Sequence, residues 1–194
     1  MKIVKAGSKK EETRERILRA AARAIRKHGY EGVGVADVMK EAGLTHGGFY
    51  AHFKSRDALL AAAAEQEAVE SNEHLSRAIA AAKPGQELMA LVDAYLSDGH
   101  VAAPEQGCAI AAAGSEVPRQ HADVRRVASR RIKDIIGLIE RQFPELGKRA
   151  AHDKAMAIAA TLVGSVVLAR AVDDAQLSRS IRKATRELVR AAAG

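Results

Sequence analysis

The sequence predicts an all-α fold of about nine helices, and three observations carry that expectation. No period-two alternation of β-branched residues lasts, aromatic residues make up only 3% of the chain, and Ala, Leu, Arg and Glu recur at three-and-four spacing. An apolar share of 47% over 194 residues supplies a sizeable core, while 28% charge and 4 prolines exclude linker-like and collagen-like chains. A single cysteine, Cys108, excludes an intramolecular disulfide and a multi-Cys zinc site. A reducing compartment is its simplest home.

The first helix has both ends written in the sequence. Ser8 and Glu11 form a capping-box pattern, Glu11 and Glu12 suit the positive end, and Arg26, Lys27 and His28 suit the negative end before Gly29 stops it. Ile17, Ala21 and Ile25 line one face. Gly34 caps a second helix from Val35 to Ala42, which turns Val35, Val38 and Met39 inward and ends at Gly43. A third runs from Thr45 to His52. Ser55 then caps a long helix that reaches Lys83 ahead of Pro84-Gly85, a span of about 40 Å.

Gln86 to Ser97 and Gly107 to Ala113 predict two shorter helices, closed near Gly99 and Gly114, and Pro118 opens the next. Along it Val124, Val127, Ala128, Ile132, Ile135, Ile136, Ile139 and Phe143 keep helical spacing until Pro144. The last two helices run from Arg149 to Ala171 and from Asp174 to Ala192, the latter with Leu177, Ile181, Leu188 and Val189 on one side. The former is apolar over most of its circumference and must be buried; contact around Gly164 with a symmetry mate is one way to cover it. Its uncharged run, Ala155 to Ala169, falls short of the roughly 20 residues of a membrane span. Met1 to Ser8 lacks the apolar stretch of a secretory signal. A soluble, cytoplasmic protein without membrane contact is expected.

Charge is unevenly placed. Met1 to Leu60 holds 13 Lys and Arg against 7 Asp and Glu, and Ala61 to Gly194 holds 18 against 17. An anionic partner at one end fits this asymmetry, nucleic acid ahead of membrane surface, as does a merely solvated basic face. Within that basic third, Val35 to Phe53 reads as helix, turn, helix: Gly43 permits the tight turn, Leu44 tucks between the helices, and the Thr45 hydroxyl is placed to cap the second. Gly47 and Gly48 each cost about 1 kcal/mol in a helix interior. Their bare backbone suits close approach to a major groove, or close packing in the core. Tyr50 and His52 are placed to meet phosphate, Lys54 adds charge, and Phe49 and Phe53 anchor the opposite face.

These residues resemble the tetracycline-repressor (TetR/AcrR) family of bacterial transcriptional regulators. The likeness spans Thr13 to Glu65 and is closest from Gly43 to Leu59. It implies a DNA-binding domain over 1–54 and a ligand-binding and dimerisation domain over 55–194. It also implies a homodimer on a palindromic double-stranded operator and a small-molecule effector, without cofactor, metal site or catalysis. By the same resemblance, DNA contacts fall on Thr45, His46, Gly47, Tyr50 and His52, with a phosphate on Lys54; Gly48 offers backbone only, and Gly34-Val35 lacks the hydroxyl that relatives often carry there. Gln106-Gly107-Cys108 with Glu116 resembles a branch that contains an N-ethylmaleimide-responsive repressor, which makes Cys108 a sensor candidate or a small buried hydrophobe. Tyr95, Met89, Leu91, Val92, Ile110, Ile132, Ile136 and Met156 line a ligand cavity or form plain core.

Two other classes compete. An enzyme would need a paired base or metal set, yet there is no HExxH, and His46 and His52 do not share a helical face; His74, His100, His121 and His152 read as surface residues. A helical adaptor would need an aromatic and basic interfacial face that the long helices lack.

Overall fold

The computed structural model describes residues 9–193, so Ser8 and its capping box lie outside the described residues. Among these, nine α-helices and no strand are found: α1 (Lys9–His28), α2 (Val35–Glu41), α3 (Arg56–Ala80), α4 (Glu87–Tyr95), α5 (Asp98–Ala102), α6 (Ala109–Ala113), α7 (Ala122–Glu140), α8 (Lys148–Ala171) and α9 (Ala175–Ala193). They are not quite the nine expected. The third expected helix is a 3-10 segment, His46–Ala51, and α5 is an addition. Pro118 opens nothing; it lies inside a 3-10 turn, Gly114–Arg119, and His121 caps α7 through an Nδ1 contact with the Asp123 N–H.

Two apolar clusters divide the molecule. The first packs Ile17, Ala21 and Ile25 of α1 on Val38, Met39, Phe49 and Phe53, and extends past residue 54 to Leu59, Leu60 and Ala63 of α3 and to Ala113 and Val124. The second gathers α4, α7 and α8 around Leu91, Leu96, Ile139, Leu162 and Val166. α3 belongs to both, through Leu59 at one end and Leu75 at the other.

Two helices turn differently from their apolar pattern. In α7 the buried stripe is Val124, Val127, Ala128, Arg131, Ile135, Leu138 and Ile139, while Ile132 is 44% exposed. Arg131 is tolerated inside because it donates to Ser71 Oγ at 2.6 Å and to Asn72. In α9 the inward face is Ser178, Arg182, Thr185 and Val189, and Leu177 and Leu188 face out. Arg182 reaches the Leu96 carbonyl at 3.0 Å and the Asp98 carboxylate at 2.7 Å, and Ser178 donates to the Ala169 carbonyl at 2.8 Å. Ser178 and Arg182 therefore have partners that offset their desolvation.

The outward side of α8 and α9 carries apolar side chains, which on α9 alternate with exposed Arg179, Lys183 and Glu187. Met156, Val167 and Leu168 of α8 stand exposed beside Leu177 and Leu188 of α9. A Cβ at Gly164 would meet no atom within 4 Å outside its own helix backbone. Among the described residues α8 alone is long and apolar enough to cross a membrane; its other face is packed on α7 and α9.

Candidate nucleic-acid interface and core cavity

The turn after α2 is built from backbone bonds. Gly43 takes φ +71°, the left-handed region that favours glycine, so its N–H reaches the Lys40 carbonyl at 3.0 Å and the Leu44 N–H the Met39 carbonyl at 2.8 Å. Leu44 is half-buried against the first cluster. Thr45 occupies the cap position of the next segment, but its hydroxyl makes no capping bond; its carbonyl instead accepts from the Gly48 N–H at 3.1 Å. Two consecutive glycines weaken the α form, and the six residues settle into the tighter 3-10 winding.

This segment has one dry face and one wet face. Phe49 is buried and stacks on Phe53 at 5.9 Å, with the Arg14 guanidinium over the Phe53 ring. On the other side Thr45, His46, Gly47, Ala51 and Lys54 are exposed, and Tyr50, its ring edge-on to Phe49, is 72% exposed. A Cβ at Gly47 would touch nothing, and one at Gly48 would meet only Met39 Cε at 3.7 Å, so packing within the chain does not require either glycine. His52 is half-buried, with an enclosed and unpartnered Nδ1.

Sequence reasoning missed Arg56. It opens α3, where a cation opposes the helix dipole, yet its Nε donates to the Val33 carbonyl at 3.0 Å and its Nη2 to the Tyr30 carbonyl. It thus ties α3 to the loop between α1 and α2. Replacing Arg56 by Ala is expected to lower stability by about 2 kcal/mol, read as a shift in the urea midpoint, because two carbonyls lose a charged donor.

A second feature is a cavity of about 500 Å³ lined by α3, α4, α5 and the loop ahead of α6. Of the expected ligand residues, Tyr95 and Cys108 line it. Met89, Ile110 and Ile136 pack against the second cluster, Leu91 and Val92 are buried within it, and Ile132 and Met156 point outward. The rest of the wall sets Leu75, Ala94 and Ala103 beside the polar side chains of Arg26, Glu67, Glu70, Ser71, His74, Ser97, His100 and Gln106. His100 is no surface residue. Its Nδ1 lies 2.5 Å from the Tyr95 carbonyl and its Nε2 accepts from the Cys108 N–H at 2.9 Å, a pairing that selects the neutral ring, and burial lowers its pKa. Cys108 is 1% exposed at the start of the five-residue α6 and is part of the cavity wall.

The loop beside this cavity grips the end of α1. Arg26 Nε donates to the Glu105 carbonyl at 2.6 Å, and the Glu116 carboxylate accepts from the Glu31 N–H at 3.2 Å. Any Cβ at Gly29 would fall 2.0 Å from Glu116 Oε1, so that glycine both ends α1, at φ +74°, and makes room for the contact.

The family model for bacterial regulatory proteins of the tetR family matches residues 17–63. The uncharacterized HTH-type transcriptional regulator MT0206 of Mycobacterium tuberculosis is 32% identical over 166 residues, which is 81% of this chain and 84% of that protein. The uncharacterized HTH-type transcriptional regulator YerO of Bacillus subtilis is 39% identical over 54 residues, 28% of this chain; the chain spans about a fifth of its length (19%). Its counterpart YvdT is spanned over about a quarter (26%). A TetR transcriptional regulator of Chloroflexus aurantiacus superposes with a TM-score of 0.79 at 26% identity, over 94% of this chain and 96% of that one. The reduced form of NemR from E. coli gives 0.75 at 19% identity, over 91% and 95%, a likeness of fold.

Proposed function

Because the chain belongs to the tetR family of bacterial regulatory proteins and is a helix-turn-helix transcriptional regulator, we propose that it binds an approximately palindromic operator as a homodimer in the cytoplasm and leaves it when an effector fills the core cavity. The observation that carries this reading is the two-sided 3-10 segment, whose aromatic anchor is buried while Tyr50, His46, Gly47 and Lys54 face outward. Such a segment reads few base pairs, so useful specificity needs two copies about 34 Å apart. The exposed stripe on α8 and α9 supports pairing with a second copy. The DNA-binding unit runs from α1 into the first turns of α3, since Leu59, Leu60 and Ala63 share its core.

Fluorescence anisotropy on an operator duplex tests the assignment. Lys54→Ala is expected to weaken binding several-fold and to flatten the salt dependence by about one unit of slope. Tyr50→Phe is expected to weaken it uniformly across sequences, and His46→Ala to change sequence preference. Unaltered affinity and slope in folded Tyr50 and Lys54 variants defeat the contact set.

Cys108 enters the scheme as part of the cavity wall beside Tyr95, in whose field it lies. N-ethylmaleimide is expected to release operator from the wild type and not from Cys108→Ser. With no second cysteine, an oxidised thiol stops at sulfenic acid, takes a small-thiol cap or bridges two subunits. Equal release from both proteins removes the thiol from the mechanism.

A further inference from the structure

Among the described residues of the first 54, Arg26 alone lines the core cavity. Together with Glu70 and Gln106 it also borders an outer cleft shared with Arg19, Arg23, Lys27 and Glu105, so its side chain forms the wall between inside and outside. Facing it across the cavity are the carboxylates of Glu67 and Glu70. Glu67 is 3% exposed, and its Oε1 accepts only from the Ala109 N–H at 3.2 Å. Arg131, behind Glu67, has turned two of its donors to Ser71 and Asn72. Among the described residues Arg26 makes no ion pair; its Nε is committed to the Glu105 carbonyl. Tyr95, 3% exposed, lines the same space beside the Cys108 thiol.

We propose that the cavity takes a small organic cation with an apolar body, which binds against Glu67 and Glu70 in place of the Arg26 guanidinium, and that the displaced Arg26 releases the Glu105 carbonyl and with it the end of α1. This rests on the reading of the cavity as the effector site. Two carboxylates and one guanidinium line the space. Arg131 and Arg170 also act on its groups, and burial pushes the Glu67 carboxyl up toward its neutral form, so a cation seated against Glu67 favours the carboxylate and gains a charged partner there. Leu75, Ala94 and the Tyr95 ring provide the apolar side, and an aromatic face attracts a cation. A neutral ligand leaves Arg26 where it is and so distinguishes poorly between the two positions of α1. Only an occupant with different affinity for those positions shifts their balance.

The test uses the full-length protein and two fluorogenic dyes, the cation N-methyl-4-(4-dimethylaminostyryl)pyridinium and the anion 8-anilinonaphthalene-1-sulfonate. The cation is expected to bind and to release operator. Glu67→Gln, which keeps the acceptor for Ala109, is expected to weaken it at least tenfold; should that variant fail to fold, Glu70→Gln at the exposed rim is expected to weaken it several-fold. Arg26→Ala is expected to bind the cation more tightly, the competitor being gone, while operator release by the cation is lost. Cation binding that is unchanged in both glutamate variants, or weakened in Arg26→Ala, overturns the proposal. If the anion alone binds and Ala94→Phe blocks it, the cation assignment falls and the cavity remains a ligand site. If neither dye enters the cavity, both readings fall.

Discussion

Gly164→Arg is expected to yield a folded monomer that binds a palindromic operator about 100-fold or more weakly than the parent protein. Outside its own helix backbone, the chain has no atom within 4 Å of where a Cβ at position 164 would stand, so the new side chain leaves the helix unobstructed at its first atom. A guanidinium placed between Val167, Leu168 and their counterparts would be desolvated without a partner, which no dimer interface of ordinary strength withstands. Sedimentation at micromolar concentration, with circular dichroism to confirm helicity, reads the outcome. A Gly164→Arg protein that remains dimeric and binds normally places the subunit contact elsewhere. One that unfolds shows that the space is needed within the chain.

The second large effect is expected from Phe49→Ala. Phe49 is 2% exposed, stacks on Phe53 and supports Tyr50 from beneath. Truncating it removes about 3–5 kcal/mol, comparable with the whole stability of a small helical unit. Operator binding is expected to vanish while the dimer persists, because α8 and α9 draw on a different apolar cluster. A two-step thermal transition, with the lower step displaced, distinguishes this from global unfolding. Retention of operator binding within twofold contradicts the anchoring role of Phe49.

Much of the fold was legible because its signals are local. Gly29, Gly43 and Gly85 all take positive φ where a helix or turn had to stop, and Ser55 caps α3 by accepting from the Ala58 N–H at 3.1 Å. The two-sided 3-10 segment was legible for the same reason, since its aromatic and glycine positions are nearest neighbours in sequence. What stayed hidden depends on residues far apart along the chain. Arg131 displaces Ile132 from the interior because Ser71 and Asn72, some 60 residues earlier, wait for its donors. His100 is drawn inward by Tyr95 and Cys108, and Arg56 by carbonyls of the preceding loop. The polar wall of the cavity, assembled from α1, α3 and the loop before α6, leaves no periodic trace, so an apolar set around Ile132 and Met156 was the natural expectation.

The buried Arg182 has a consequence for how this protein chooses company. A step of one residue turns a helix by about 100°. By holding the Leu96 carbonyl and Asp98, Arg182 fixes which side of α9 looks outward. Leu177 and Leu188 are thereby displayed at one angle only. In a cell that makes several regulators of this build, mismatched pairs are rejected when the displayed ridges fail to interlock. Fidelity of self-recognition would then be set by a buried arginine behind the displayed leucines, and a change at Asp98 would be read as a change of allegiance.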